Sequence, residues 1–221
     1  MSAAIPEPGA EGQAKGGPVG SPLLVLISAP SGGGKTTLCQ QLLAARPKMT
    51  RAVTCTTRPP RAGERDGVDY YFLDAGSFLK RVQAGDFLEH AIVYGHSYGT
   101  LQAEVLGKLR EGRDVLLNVD VQGAASIREK APEVPELERA LVSVFLTPSS
   151  LSILEARLRK RGTDAAAVIQ KRLSVARQEI AHWRHFDYLL LSGSVDEDLR
   201  RMLAIVEAEK MRAGRVQGPE F

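Results

Sequence analysis

The sequence predicts an α/β fold in which a parallel sheet carries helices on both faces, with a small inserted lobe and a helical lid. Apolar runs typical of buried strands alternate with amphipathic helical segments, the pattern of parallel strands joined by crossover helices. Short, closely spaced strands occupy residues 54–100, and a densely basic helical stretch occupies residues 149–185. We therefore expect a core formed by residues 23–53, 101–148 and 186–212, with the lobe and the lid inserted into it.

The first core segment has the pattern of a phosphate-binding loop. Residues 23–27 are all apolar and predict a buried strand, residues 28–34 are small and rich in glycine, and Lys35–Ala45 predicts a helix with leucines on one face. Glycines let backbone N–H groups approach phosphate oxygens, and the helix N-terminus adds further donors and a positive dipole end. Lys35 can reach the β- and γ-phosphates and the Thr36 hydroxyl can ligate Mg²⁺, so the segment predicts a nucleoside triphosphate site.

The proposed donor-binding residues are contiguous along this loop: Ala29, Pro30, Ser31, Gly32, Gly33, Gly34, Lys35, Thr36 and Thr37. The strict motif has glycine at its first position, where this chain has Ala29. The competing interpretation is a glycine-rich turn that binds nothing. Three consecutive glycines before Lys-Thr, directly after an apolar strand, favour phosphate binding.

A second anion site is predicted by an arginine pair in the following segment. Arg58 and Arg61 stand three residues apart, beside several threonines and two prolines that end a strand beginning near residue 51. Arginine presents a rigid fork of donors to phosphate oxygens, so an anion clamp is favoured over a solvated loop. Tyr70 and Tyr98 can each donate a phenolic hydrogen bond to the same anion.

The remaining elements follow from periodicity and from Gly and Pro signals. We expect strands at residues 69–73, 87–94, 114–123, 141–146 and 187–191, helices at 74–84, 101–111, 151–185 and 195–211, and a turn at 95–99. The strand at 114–123 reaches polar residues at its carboxyl end, where ligands bind in open α/β sheets. Asn118 and Asp120 fall there, two residues apart, and we expect both on one side of the strand.

The basic helical stretch predicts a lid. Arg157, Arg161 and Arg172 are the candidates for closing over a transferring phosphate, and Asp164 is placed to begin a second helix. The competing interpretation is a solvated basic helical hairpin.

Composition sets the wider limits. The chain has 221 residues and a net charge of +3, which is too small to indicate nucleic-acid binding by itself. Cys39 and Cys55 have no metal-binding spacing and are expected to be reduced thiols of a cytoplasmic protein. We expect no membrane span and no signal peptide. Residues 1–22 and 213–221 are expected to be a disordered and a frayed tail, respectively.

Several of these segments together resemble the guanylate kinase family, in the same order, over about residues 23 to 210. They read Ala-Pro-Ser-Gly-Gly-Gly-Lys-Thr, Thr-Thr-Arg-Pro-Pro-Arg-Ala-Gly-Glu, Phe-Leu-Glu-His-Ala, Tyr-Gly-Thr, Val-Asp-Val-Gln-Gly and Arg-Leu-Arg-Lys-Arg-Gly-Thr, followed by Lys-Arg-Leu. In that family the first loop position is Ala or Gly, which accommodates Ala29.

The resemblance implies a P-loop kinase core and the ATP-dependent phosphorylation of GMP to GDP with Mg²⁺. It implies that Arg58, Arg61, Tyr70 and Tyr98 hold the GMP phosphate, and that the guanine meets Thr54, Glu89, Thr100 and Asp120. Lys35, Arg58, Arg157, Arg161 and Arg172 would act on the transferring phosphoryl group, and Thr36 would ligate the metal. GMP and ATP are then the expected partners, and the chain could form a homo-oligomer or act as a monomer.

Two departures from the family pattern accompany the resemblance. Asn118 stands where the family usually has an acid that lies near the magnesium, and residues 192–194 are Ser-Gly-Ser where the family often has Asn-Asp-Asp near the adenine. Two alternative functions are weighed against the kinase. A guanylate-kinase-like interaction module would lose the Gly-Lys-Thr loop or the lid arginines, which this chain keeps. Another nucleoside monophosphate kinase would have to account for Glu89 together with Asp120.

Overall fold

The structure of the chain is a computed structural model that describes residues 21–93, 95–160 and 165–216. It contains nine strands, which are β1 Leu24–Ser28, β2 Met49–Arg51, β3 Thr54–Thr56, β4 Tyr70–Phe72, β5 Phe87–Val93, β6 His96–Leu101, β7 Asp114–Asn118, β8 Leu141–Pro148 and β9 Tyr188–Ser192, within these ranges. The α-helices of the same ranges are α1 Lys35–Ala45, α2 Ala75–Gln83, α3 Gln102–Arg110, α4 Val121–Lys130, α5 Pro135–Ala140, α6 Leu151–Lys160, α7 Ala166–Ala181 and α8 Val195–Lys210.

The core is a five-stranded sheet in the order β2-β7-β1-β8-β9, and every adjacent pair in it is parallel. The central strand β1 is buried at every position, and all of its residues except Ser28 are apolar, as expected for a strand covered on both faces. Leu24 and Leu26 pack into the cluster formed with α3, α4 and α5, whereas Val25 and Ile27 pack with α1 and α8. The predicted parallel sheet with helices on both faces is thus confirmed.

A second sheet is formed by strands that lie between β2 and β7 in the chain. Its order is β4-β3-β6-β5, with β3 and β4 parallel and the other pairs antiparallel. Helix α2 covers one side of it, where Phe78 and Phe87 stack at 4.6 Å between ring centroids. The single strand expected near residue 51 is therefore two strands, β2 in the core sheet and β3 in this one.

The turn predicted for residues 95–99 is wrong. His96–Leu101 is strand β6, which pairs with β5 on one side and β3 on the other. Gly99, which suggested a turn, instead permits close packing inside the sheet. A Cβ at this position would lie 2.8 Å from Phe87 Cδ1.

The predicted strand 114–123 is too long. Strand β7 ends at Asn118, and the Asp120 carboxylate accepts from the backbone N–H groups of Gln122 and Gly123, which begins α4. Helices α4 and α5 were not predicted. Residues 121–130 contain small and polar side chains that give a weak helical periodicity.

Both ends of the described chain are better ordered than predicted. Ala213–Arg215 forms a short 3-10 helix in which Arg215 is buried and donates to the carbonyls of Arg139 and Leu141. The Ser21 N–H donates to the Arg215 carbonyl at 3.0 Å. The prediction of a frayed tail is therefore wrong for residues 213–216. Residues 1–20 and 217–221 lie outside the described residues.

Candidate active site

The phosphate-binding loop connects the end of β1 to the start of α1. Gly32 and Gly34 have φ of +87° and +98°, in the left-handed region that glycine adopts without strain. The Gly33 N–H donates to the Pro30 carbonyl at 2.8 Å, and a Cβ on Gly33 would lie 2.9 Å from that same oxygen. The glycines at all three positions are therefore required by the turn.

Lys35 is held across the edge of the sheet. Its Nζ donates to the Val119 carbonyl at 2.9 Å. Burial lowers the pKa of Lys35, and the nearby Cys39, Asp120 and Glu179 oppose that shift. The lysine is thus fixed close to the carboxyl end of β7, between the loop and the acidic side chains.

A cavity of about 320 Å³ lies over this loop. Residues 29–37 form one wall, which places every predicted donor-binding residue around one space, and Asp120 and Glu179 form the other. The side chains of Thr36 and Thr37 are exposed there. Oxygen atoms from a hydroxyl and two carboxylates consequently face the same cavity.

A second cavity, of about 260 Å³, lies between β7 and the small sheet. Six of the eight predicted GMP-binding residues line it: Thr54, Tyr70, Glu89, Tyr98, Thr100 and Asp120. Asn118 lines it as well, whereas Arg58 and Arg61 lie outside its lining. Asp120 lines both this cavity and the loop cavity, so the two adjoin at this residue.

Glu89 and Asp120 are the acids of the second cavity. The Thr100 hydroxyl donates to Glu89 Oε1 at 2.7 Å, which leaves Oε2 for other donors. Burial raises the pKa of Glu89, Asp120 adds to the rise, and the Thr100 hydrogen bond opposes it. A Cβ on Gly123 would lie 3.3 Å from Glu89 Oε2, so this glycine preserves space beside the acid.

Arg58 is held by a carboxylate that the sequence analysis did not single out. Its Nη2 donates to both oxygens of Glu64, at 2.8 and 2.9 Å, and its Nη1 donates to the Pro59 carbonyl. Its guanidinium carbon lies 5.5 Å from the centre of the Tyr70 ring. The pKa of Arg58 is raised, chiefly by the Glu64 hydrogen bond and further by Tyr98. Arg58 therefore does not line the second cavity, but it contacts Tyr70 and Tyr98, which do.

Arg61 shares the same carboxylate through its backbone. Its N–H donates to Glu64 Oε2 at 2.7 Å, while its side chain is exposed. Glu64 stands at the end of the quoted Thr-Thr-Arg-Pro-Pro-Arg-Ala-Gly-Glu segment, so its position was visible in the sequence. An acid is an unexpected neighbour for a phosphate-binding arginine, and no spacing rule indicated its role.

The lid arginines have different surroundings. Arg157 donates to the Ser192 hydroxyl at 3.1 Å and to the Gly193 carbonyl at 3.3 Å, beside a cavity of about 440 Å³. Arg172 lies on α7, and Arg161 lies outside the described residues, as does the predicted helix start at Asp164.

Helix α6, in the predicted lid, packs onto the phosphate loop. A Cβ on Gly32 would lie 2.8 Å from Leu158 Cδ2 and 3.2 Å from Leu154 Cδ1, and both leucines belong to α6. These leucines join Ile169 and Leu173 of α7 in one apolar cluster. Helices α6 and α7 therefore form a single unit that rests against the loop.

No group of three or more His, Cys, Asp or Glu side chains in the described residues is arranged to hold a metal ion. Within residues 21–93, 95–160 and 165–216, no helix is both long and apolar enough to cross a membrane.

A parallel sheet, a glycine-rich loop between its first strand and first helix, and a lysine that lines the cavity over this loop define a P-loop nucleotide-binding protein. The sequence model of the guanylate kinase family matches residues 21–209. Guanylate kinases from Coxiella burnetii and Hahella chejuensis are 43% and 44% identical over 189 residues, each covering 86% of this chain and 88% of the relative.

A solved structure agrees with these relatives. The crystal structure of guanylate kinase from Anaplasma phagocytophilum is 30% identical, with a TM-score of 0.68, covering 91% of this chain and 93% of the other. The chain belongs to the guanylate kinase family and is a phosphotransferase.

Proposed function

We propose that the chain transfers the γ-phosphoryl group of ATP, bound at the loop, to GMP bound in the adjoining cavity, giving ADP and GDP. A phosphate oxygen of GMP attacks the γ-phosphorus in line, and the bond to the β,γ-bridging oxygen breaks. The observation that carries this proposal is the junction of the two cavities at Asp120, next to Lys35. Reactants held there need positioning and charge stabilisation and no protein nucleophile.

On the donor side, residues 29–37 bind the triphosphate through backbone N–H groups and Lys35. Mg²⁺ usually takes one or two protein oxygens and completes its shell with phosphates and water. The exposed Thr36 hydroxyl, in a cavity that Asp120 also lines, fits that requirement. When bound, the metal neutralises charge on the β- and γ-phosphates.

On the acceptor side, the GMP phosphate is held by Arg58, Arg61, Tyr70 and Tyr98. The guanine is held by Thr54, Glu89, Thr100 and Asp120. Guanine presents N1–H and N2–H₂ donors that suit carboxylates, whereas adenine presents a lone pair at N1. Glu89 Oε2, with the other oxygen fixed by Thr100, is oriented to accept from such a donor. Discrimination on the order of 10⁴ is within the reach of such a polar site.

The lid supplies the remaining positive charge through Arg157, Arg161 and Arg172. Arg157 already lies beside the loop, since a Cβ on Gly34 would be 4.0 Å from its Nη1, and it would exchange its bonds to Ser192 and Gly193 for a phosphate. Closure excludes water and so limits ATP hydrolysis. The lobe of residues 54–100 and the lid of residues 149–185 are the parts proposed to move.

The experiment that tests this function is an ADP-forming coupled assay with ATP and, separately, GMP, AMP, UMP and CMP. We expect turnover with GMP to exceed the others by orders of magnitude. Binding of GMP without turnover would favour the interaction module, and preference for another monophosphate would reassign the acceptor.

A further inference from the structure

A carboxylate of the lid touches the phosphate loop. Glu179 lies on α7 seven residues after Arg172, and this spacing puts both side chains on one helical face. The Ser31 N–H donates to Glu179 Oε2 at 3.4 Å, across 148 positions of sequence. Glu179 also lines the loop cavity together with Lys35 and Thr36. It was not identified by the sequence, and the proposed mechanism gives it no role.

The position of Glu179 is set by packing that does not involve its carboxylate. Leu154 and Leu158 of α6 rest on Gly32, and the apolar cluster that contains them joins α6 to α7. The loop and α7 are therefore held together at neighbouring points, one apolar and one polar. An acid is thereby kept beside a cradle whose dipoles and lysine are suited to anions.

We propose that Glu179 is a positioning residue that occupies the anion-binding side of the phosphate loop until the donor triphosphate takes its place. The carboxylate and the triphosphate compete for the same positive region, formed by loop N–H groups and Lys35. Donor binding then displaces Glu179 from Ser31 and releases α7, which carries Arg172, from this contact. The inference rests on the proposed donor site, because it assigns the loop to ATP.

The proposed competition and an ordinary structural contact predict opposite changes in donor affinity when Glu179 is replaced. If Glu179 only anchored the lid, its removal would leave donor affinity unchanged or reduce it. If its charge opposes the triphosphate, removal of the charge strengthens donor binding. Glutamine retains an oxygen that can accept from Ser31, so Glu179→Gln isolates the charge, whereas Glu179→Ala removes the charge and the acceptor.

The test is calorimetric titration of the full chain with Mg²⁺ and a non-hydrolysable ATP analogue, without GMP. We expect both Glu179 variants to bind the analogue about five- to tenfold more tightly, an effect typical of one screened charge near a bound anion. The matched control is Glu155→Gln on α6, whose half-buried carboxylate pairs with Arg159 and which should leave affinity unchanged. GMP affinity should be the same in all four proteins.

Each other outcome contradicts the proposal. Equal or weaker binding of the analogue by Glu179→Gln would show that the charge does not compete. Weaker binding by Glu179→Ala alone would make Glu179 a hydrogen-bonded anchor. Thermal unfolding midpoints of the variants identify any loss of folded protein. Failure of the unsubstituted chain to bind the analogue would instead overturn the proposed donor site.

Discussion

The two proposed anion sites of this molecule are built from different parts of the chain. The proposed donor loop would bind its anion through backbone N–H groups, and glycines with positive φ bring these groups within a few residues of one another. The proposed acceptor clamp would bind through side chains: Glu64 orients Arg58, and Tyr70 and Tyr98 lie against it. A backbone site is rigid once the turn forms, whereas a side-chain site depends on each partner.

Each site also contacts a carboxylate, and the two carboxylates differ in origin. Glu64 lies six residues from Arg58 and is bound at 2.8 Å, so the acceptor clamp is assembled locally. Glu179 lies 148 residues from Ser31 and its contact is 3.4 Å long. The short local pair stabilises the clamp in one arrangement, whereas the long contact is more easily exchanged for a ligand. From this difference we expect the proposed acceptor clamp to keep its arrangement and the contact between Glu179 and the loop to change when a donor binds.

The largest expected effect is on the donor side. Lys35→Ala should reduce turnover by about 10³ or more, because a fixed charge on the transferring phosphoryl group is lost. Folding should be little affected, since Lys35 bonds only to a carbonyl at the edge of the sheet among the described contacts. Steady-state rates and thermal midpoints measure the two effects, with exposed Lys48→Ala as the matched control. Near-normal turnover of Lys35→Ala would contradict the kinase mechanism.

The next effect concerns the guanine. Glu89→Gln replaces a charged acceptor with an amide, and GMP should lose about 10² or more of its advantage over AMP. Competition titrations of both nucleotides measure this ratio. A variant that still discriminates as sharply as the parent would show that Glu89 does not contact the base.

Glu89 also predicts a pH dependence. Burial raises the pKa of the free carboxyl, and guanine donors favour its ionised form, so binding lowers that pKa. GMP affinity should therefore increase with pH through the raised pKa and level off above it. In Glu89→Gln, the pH dependence of GMP affinity should come only from the GMP phosphate, whose second pKa is about 6. Parallel curves for both proteins would contradict this assignment.

A smaller effect is expected at the clamp. Arg58→Ala should weaken GMP about ten- to a hundredfold, because a charged hydrogen bond to the phosphate is lost. ATP affinity should change little, because the clamp lies on the acceptor side. Calorimetry with each nucleotide makes the comparison, and Arg65→Ala, exposed on the same loop, is the control. Equal losses for GMP and ATP would remove the distinction between the two sites.

The sequence predicted the parts of this molecule that depend on local pattern. The loop and α1 follow from glycines, an apolar strand and a leucine face, and Lys35–Ala45 is the helix observed. The turn at Gly99 was predicted wrongly because glycine is found both in turns and in crowded strands. Only the short distance to Phe87 in the structure shows that Gly99 belongs to a crowded strand. Asp120 misled because an N-cap and a strand end look alike without the following hydrogen bonds.

The candidate site was also predictable only where its residues belong to recognisable sequence motifs. Six of the eight residues that the family resemblance assigns to GMP line one cavity, and their role in binding stays a prediction. Glu64 lay within a recognised segment but had no assigned role. Glu179 depends on how the lid packs over the loop, through contacts between α6, α7 and Gly32 that no local spacing encodes.

The smallest effect tests which site contains position 118. The family resemblance puts an acid at this position near the magnesium, yet Asn118 lines the acceptor cavity with Glu89 and Asp120. Asn118→Asp would add a third carboxylate there, and like charges raise one another's pKa.

We therefore expect Asn118→Asp to weaken GMP about fivefold, or about 1 kcal/mol after screening. The magnesium titration at fixed, subsaturating ATP and GMP should be nearly superimposable with that of the parent chain. The pH at which GMP affinity levels off should also move upward, because the pKa of Glu89 rises further. A shifted magnesium curve with unchanged GMP affinity would place residue 118 on the donor side. The two cavities would then share the end of β7 as well as Asp120.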